Sequence, residues 1–272
     1  MRFGPGGTRV IRTMRTPQGS ATLEIRSDGD HLDVSAWGPG AAAAIGRAPT
    51  LLGAGDSLKG FEPRHRLVAE LHRRMPGMRM ARPGGVVDAL VVAVLEQKWT
   101  GKEAVRAWTR LVAALGEPAP GPFPGLRLSP APERLASTPY WTYHGFGVER
   151  RRADLLRLVG ARAGRLEEAA AMSPEDAEAR LRMLPGVGPW TAAEVLLNGL
   201  GHADAVSVGD DNLPSVVAWA LAGEREADDA RMLELLEPYR GHRGRVIRLL
   251  LAGGVMPERR GPRRTVRDIA PL

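Results

Sequence analysis

The stretch Leu184-Pro-Gly-Val-Gly-Pro-Trp-Thr-Ala192 constrains the fold more than any other part of the chain. Ser173-Pro174-Glu175-Asp176 before it is a helix start, with Ser as N-cap, Pro at the first helical position and acids in the first turn. Ala177, Leu181 and Leu184 then mark an apolar helical stripe. Pro185 and Gly186 stop that helix, and a second begins near Pro189 and carries Ala192, Val195 and Leu196. Gly188 is expected to adopt backbone geometry closed to other residues and to leave no side chain in the way of an approaching phosphate. Backbone N–H groups at the second helix start have no intrahelical partner and suit an anion. About twenty residues on, Gly209-Asp-Asp-Asn212 puts carboxylates at the start of a third helix. A plain αα-hairpin with a glycine turn fits the same residues.

The 272 residues are enough for a sizeable core in one large or two modest domains. A net charge of +7 suits a polyanionic partner. The excess is nearly all arginine, with lysine only at Lys59, Lys98 and Lys102. A base composition rich in G and C produces the same bias, so charge alone carries little weight. The absence of cysteine excludes disulfides, thiolate zinc sites and thiol catalysis. The six histidines show no metal-ligand spacing. No signal peptide or apolar run of membrane-spanning length is evident, so a cytoplasmic protein acting at the nucleoid, with no membrane partner, is expected.

Thr8–Arg15, Ala21–Arg26 and His31–Ala36 read as strands, with a turn at Ser27-Asp-Gly-Asp30. A helix over 40–48 should pack on them, giving an α+β unit over 1–78. The pattern is helical over 79–257. Val86–Gln97 reads as a buried core helix, Gly101–Leu115 as amphipathic, and Glu117–Pro124 as a loop. Further helices are expected at Ala131–Ser137, Gly147–Gly160, Arg165–Met172, Leu213–Leu221, Asp228–Leu236 and Gly244–Gly253. The segment 258–272, with five arginines, reads as a basic tail. The fold class is mainly α, preceded by a small α+β unit.

The hairpin Leu184–Ala192 and the spaced Gly209-Asp-Asp-Asn212 resemble those of the helix–hairpin–helix (HhH-GPD) superfamily of DNA glycosylases. Within it the chain is most similar to the AlkA-like, 3-methyladenine DNA glycosylase II branch. Trp37–Gly40, Leu51–Ala54, Ala93–Gln97 and Gly147–Ala153 also carry the likeness, which spans roughly residues 8 to 255. It implies a first unit like one half of a TATA-binding protein, and a helical domain of two subdomains flanking a cleft. It also implies a monomer that acts on duplex DNA with a damaged base, in base excision repair. The four-cysteine iron–sulfur loop of some relatives is missing.

Carried over residue by residue, the motif puts the catalytic carboxylate on Asp211, with Asp210 tuning or capping beside it. Breaking an N-glycosidic bond builds positive charge on the sugar, and a nearby carboxylate stabilises it and orients water. An N-cap at a helix start describes the same residues and is compatible with that role. Bifunctional relatives carry a lysine after the hairpin, where this chain has Trp190, so a monofunctional enzyme is implied. Alkylated purines such as 3-methyladenine or 7-methylguanine are the implied substrates; hypoxanthine, uracil, bulky adducts, or lesion binding without catalysis are the alternatives.

A base must leave the duplex to be read. Aromatics that would line its pocket are Trp141, Tyr143, Trp190, Trp219 and Tyr239, each of which also reads as core. Gln97, Lys98 and Trp99 lie where relatives place the wedge that fills the vacated space, commonly an aliphatic leucine. Phosphate contacts are expected from the Gly186 and Gly188 amides and the Thr191 hydroxyl, with Arg243 and Arg245 as further partners. No organic cofactor or catalytic metal is expected. Related hairpins imply a structural monovalent cation, Na+ or K+, on the carbonyls of Arg182, Leu184 and Val187.

Overall fold

The computed structural model describes residues 2–4, 6, 8–98 and 101–257. Strands β1 (Arg2–Phe3), β2 (Arg9–Thr16), β3 (Gly19–Ser27) and β4 (Leu32–Trp37) form an antiparallel sheet in sequence order. Pairing Met14 with Ala21 and Val10 with Ile25 sets one face, where Ala21, Leu23 and Ile25 are buried. Helix α1 (Ala41–Leu51) covers that face with Ala44 and Ala48. The opposite face carries Trp37, whose ring meets Phe123 edge-on at 5.0 Å. Thr13 there donates to the Arg127 carbonyl at 3.3 Å. The proline- and glycine-rich loop after residue 116 is thus the sheet's second cover, and joins it to the helices.

Helix α2 (Arg66–Arg74) lies inside the range assigned from sequence to the first unit. It does not pack on the sheet. Its buried Val68 and Leu71 join a cluster with Val217, Met232, Leu236 and Leu250, more than 140 residues further along. The sheet's own core closes near Leu52, so the unit that packs as one ends well before residue 78. The reason is α2's strong amphipathicity: its apolar stripe needs a helical partner, and the sheet face is already covered by α1.

The chain then builds a larger cluster from α3 (Val86–Glu96), α4 (Gly101–Leu115), α5 (Pro132–Ser137), α6 (Tyr140–Gly145), α7 (Arg150–Ala161), α8 (Ala163–Glu167), α9 (Pro174–Arg182) and α10 (Pro189–Asn198). Glu167 caps α3 from outside, its carboxylate accepting the Val86 and Val87 N–H groups at 3.0 and 2.9 Å. After α10 the chain returns to the first-mentioned cluster with α11 (Leu213–Ala222), α12 (Asp229–Leu236) and α13 (Arg243–Ala252). The helical body therefore has two halves, and α10 and the loop before α11 lie at their seam. No helix among the described residues is long and apolar enough to cross a membrane. The basic segment 258–272 lies outside the described residues.

Candidate active site

The hairpin forms as its residues dictate. Ser173 caps α9, its Oγ accepting the Asp176 N–H at 3.1 Å. Leu184 accepts the Val187 N–H at 3.0 Å to close the turn. Gly186 takes φ +97°, a left-handed value that favours glycine, and an added Cβ would sit 3.1 Å from Leu155. Gly188 differs from expectation. Its φ of −93° is open to any residue, and a Cβ there would meet nothing within 4 Å. Within the protein alone, then, nothing demands glycine at 188. Gly188 is the N-cap of α10, and no side chain caps that helix, so its first N–H groups have no side-chain cap.

Trp190, Glu194 and Asn198 recur every fourth residue and share one face of α10. The other faces are apolar, and Ala192, Val195 and Leu196 enter the larger cluster. The polar stripe points at the seam. There the Trp190 indole donates to Asp210 Oδ2 at 3.0 Å. Ser207 Oγ donates to Glu194 Oε1, and Asn198 Nδ2 to Glu194 Oε2 at 2.7 Å. Arg248 of α13 donates in turn to Asn198 Oδ1.

Asp210 is the acid this geometry selects. Its Oδ1 accepts the N–H groups of Asn212 and Leu213, both at 2.9 Å, at the opening of α11. The carboxylate thereby lies at the positive end of a helix and is held on both oxygens. The preceding Gly209, at φ +90°, is anchored by Asp229, whose two carboxylate oxygens accept its N–H at 3.1 and 3.0 Å. Asp210 lines a cavity of about 480 Å³ with Glu194, Ser207, Val216, Arg248 and Met256. Asp211 is exposed and does not line that cavity. The likeness puts the catalytic carboxylate on Asp211, whereas it is the Asp210 side chain that caps α11 and meets Trp190, with Asp211 exposed beside it.

Of the five aromatics named as pocket candidates, Trp190 alone touches this acid. Tyr143 is fully buried and donates to the Leu135 carbonyl at 2.8 Å, in the core. Tyr239 is buried in the smaller cluster, where its hydroxyl meets His65 Nδ1 at 2.6 Å. Trp141 is 76% exposed on α6. Trp219 lies under the Arg225 guanidinium at 5.8 Å and is not part of the cavity wall.

The turn after α3 is stitched to the hairpin. Gln97 Nε2 donates to the Gly186 carbonyl at 3.0 Å and to Thr191 Oγ1 at 2.9 Å. Arg152 donates to the Gln97 carbonyl. Gln97 is thus a brace, not a free wedge. Thr191 is buried beneath it, which corrects the expectation of a phosphate-facing hydroxyl. Lys98 is exposed at φ +55°, at the tip of the turn, and Trp99 lies outside the described residues. Arg243 and Arg245 are also reassigned. Arg243 pairs with Asp204. Arg245 is completely buried and forks onto Asp56. Their charges serve packing: each is already neutralised by a partner within the protein.

Sequence reasoning missed Glu194. It stands alone as the acid of α10, four residues after Trp190, and that spacing was the available signal. Burial pushes its carboxyl pKa up, although Ser207 partly opposes this. Glu96, at the end of α3, lies nearby. Burial first, then the charges of Glu194 and Asp210, push its pKa up to about 7.

No protein-family model matches the chain. A probable bifunctional transcriptional activator/DNA repair enzyme AlkA of Mycobacterium tuberculosis (strain CDC 1551 / Oshkosh) is 34% identical over 139 residues, covering 50% of this chain and 28% of that protein. DNA-3-methyladenine glycosylase 2 of Escherichia coli (strain K12) is 30% identical over 172 residues, 61% of this chain and 58% of that one. The solved 3-methyladenine DNA-glycosylase of Archaeoglobus fulgidus superposes with a TM-score of 0.72 at 18% identity, covering 91% of this chain and 87% of that one. The chain is thus similar in sequence to AlkA and DNA-3-methyladenine glycosylase 2 over about half of its length, and shares the fold of the archaeal glycosylase. It spans little more than a quarter of the mycobacterial relative and just over half of the E. coli one. The hairpin, the α10 stripe and the Asp210 loop meet at one seam.

Proposed function

We propose that the chain is a monofunctional DNA glycosylase that removes alkylated purines from duplex DNA by hydrolysing the N-glycosidic bond. The observation that carries this is the Asp210 carboxylate, fixed by three N–H donors, one of them Trp190 just after the hairpin, at the wall of a cavity that α10 also lines. The α10 N-terminus and the Gly188 turn hold a backbone phosphate through N–H groups, which positions the strand without reading it. The damaged nucleotide turns out of the stack into the seam. As the C1′–N bond stretches, charge grows on the sugar, and Asp210 stabilises it without reorganising, because its hydrogen bonds are already made. Water then adds to C1′ on the side of Asp210.

Trp190 serves here as an orienting group: its N–H fixes one oxygen of Asp210, and its ring borders the route of the base. No lysine follows the hairpin, which supports base release without strand cleavage by an amine. The carbonyls of Arg182, Leu184 and Val187 would hold a structural monovalent cation. Leu184 already accepts one N–H, leaving one lone pair for that ion. The small sheet unit serves as a brace.

The test is release of free base from duplexes that each carry one modified purine. D210N should lower release of 7-methylguanine by roughly 100- to 1000-fold, while D211N stays near the parent. Strand nicking should require added alkali or heat. Full activity in D210N overturns the assignment of the acid, and nicking without alkali or heat overturns the monofunctional reading.

A further inference from the structure

The sheet unit and the helical body meet in a cleft that plays no part in the chemistry at the seam. Two cavities, of about 440 and 370 Å³, share Arg12, Gly84, Gly85, Asp88 and Ser129 as walls and so form one cleft. Arg12 comes from β2, Arg47 from α1 and Asp88 from the first turn of α3. Glu96 and Glu194 line the larger cavity only, so the smaller one is the cationic end, with Arg12, Arg15 and Arg47. The Arg12 Nε is buried with no acceptor among the described residues, which is costly for a charged donor. The Arg47 guanidinium stands in the room that Gly84 leaves, where a Cβ would run into its Nη2. Burial, and then the charge of Arg47, lowers the Arg12 pKa against the pull of Asp88. The protein's own acids answer this charge poorly. Both Glu167 oxygens already accept the Val86 and Val87 N–H groups. Burial raises the Asp88 pKa, although Ser129, Arg12 and Arg15 oppose this, which weakens it as a counter-charge. Arg15 is different, since it already bonds Glu117 and the Ser129 carbonyl.

We propose that this cleft binds a phosphate group, free or as the monoester of a small ligand, through Arg12 and Arg47. The phosphate oxygens accept from the Arg12 Nε and from the Arg47 guanidinium, bonds of the strong, charge-assisted kind. Donors reach the cleft from separate elements: Arg12 on the sheet, Arg47 on α1, and the Ser129 hydroxyl on the loop that follows α4. A tetrahedral anion presents acceptors in that many directions, whereas a planar carboxylate suits a single fork. Gly84 and Gly85, at φ +64° and +86°, have no side chain to crowd Arg47 and Asp88. The larger cavity, with Val92, Trp108 and Val112 on its wall, takes the less polar remainder of a monoester. Bound there, the anion bridges the sheet unit to the helical body. The site is separate from the hairpin and does not depend on the DNA chemistry proposed above.

Inorganic phosphate and deoxyguanosine monophosphate are each titrated calorimetrically into the full chain and into R12M, R47M and G188A, at constant ionic strength. The parent should bind, and R12M and R47M should each bind about 10- to 100-fold more weakly, the loss expected for one charge-assisted hydrogen bond. Tighter binding of inorganic phosphate supports the free anion as the ligand, and tighter binding of the nucleotide supports a monoester. G188A, altered only at the hairpin, should bind as the parent does. No binding by the parent, or parental affinity in both arginine variants, overturns the proposal. Loss in G188A with parental affinity in R12M moves the phosphate to the hairpin and overturns it too, while leaving the proposed function standing. R47M changes an exposed side chain on another element and keeps the test decisive if R12M fails to fold.

Discussion

At Asp210, capping and the proposed chemistry share one side chain. Its Oδ1 closes the start of α11 and its Oδ2 takes the Trp190 indole N–H. Asp211, one residue on, points outward. The glycines of the hairpin divide in a similar way. Gly186 has a left-handed backbone, and a Cβ would press on Leu155. Gly188 has an ordinary backbone and open space. G186A is therefore expected to destabilise the protein by about 1–3 kcal/mol, from backbone strain. G188A should unfold at the parent's denaturant midpoint, yet bind duplex DNA more weakly whatever the sequence, because its methyl group stands where a phosphate would approach. Urea unfolding and salt-dependent DNA titrations on both variants check this. A G188A protein that binds like the parent would remove the phosphate role from this turn.

Helix α10 acts as the partition of the site. Its apolar faces anchor it in the larger cluster, and its polar stripe carries Trp190, Glu194 and Asn198 to the seam. The end of α3 is tied to it through Gln97, which bonds Gly186 and Thr191. Removing that side chain leaves a buried Thr191 hydroxyl without its donor. Q97A should cost about 1–3 kcal/mol and weaken DNA binding, since the hairpin loses its brace. A variant with a parental midpoint and parental affinity would show that the stitch is incidental. Much at this scale was legible in the chain. The helix start at Ser173, the stop at Gly186, the restart at Pro189 and three of the strands are local events. They follow from caps, turn residues and apolar period. Helices α2 and α6 were not anticipated. The first was absorbed into the sheet unit, and the second is a six-residue turn whose aromatic run gives no clear period.

For the whole molecule, the Asp56–Arg245 pair ties the segment after the sheet to α13. The side chains are 5% and 1% exposed, and Asp56 also accepts the Met80 N–H at 3.0 Å. Burial alone would raise the Asp56 pKa, but Arg245 and that N–H hold it below the ordinary aspartate value. A depressed folded pKa means the stabilisation is present above the ordinary aspartate range and is lost as pH falls through the lowered value. R245M strands the carboxylate in the interior and should cost about 3–5 kcal/mol at neutral pH. Without its cation the carboxyl pKa rises, so mild acidification should narrow the gap to the parent. Chemical denaturation at several pH values checks both statements, and a constant gap would show that Asp56 stays ionised by another route.

The amino-acid order by itself determined the hairpin, the acidic loop after it and the likeness to one superfamily, because each depends on residues close together in the chain. Only the tertiary structure decided which of two adjacent aspartates faces the seam, which aromatics are core, and which arginines are already paired. Those outcomes depend on burial and on partners from distant segments: His65 for Tyr239, Asp56 for Arg245, Ser207 for Glu194. A side chain's direction and its neighbours' charge arise from packing across the whole molecule, and local sequence holds no record of either.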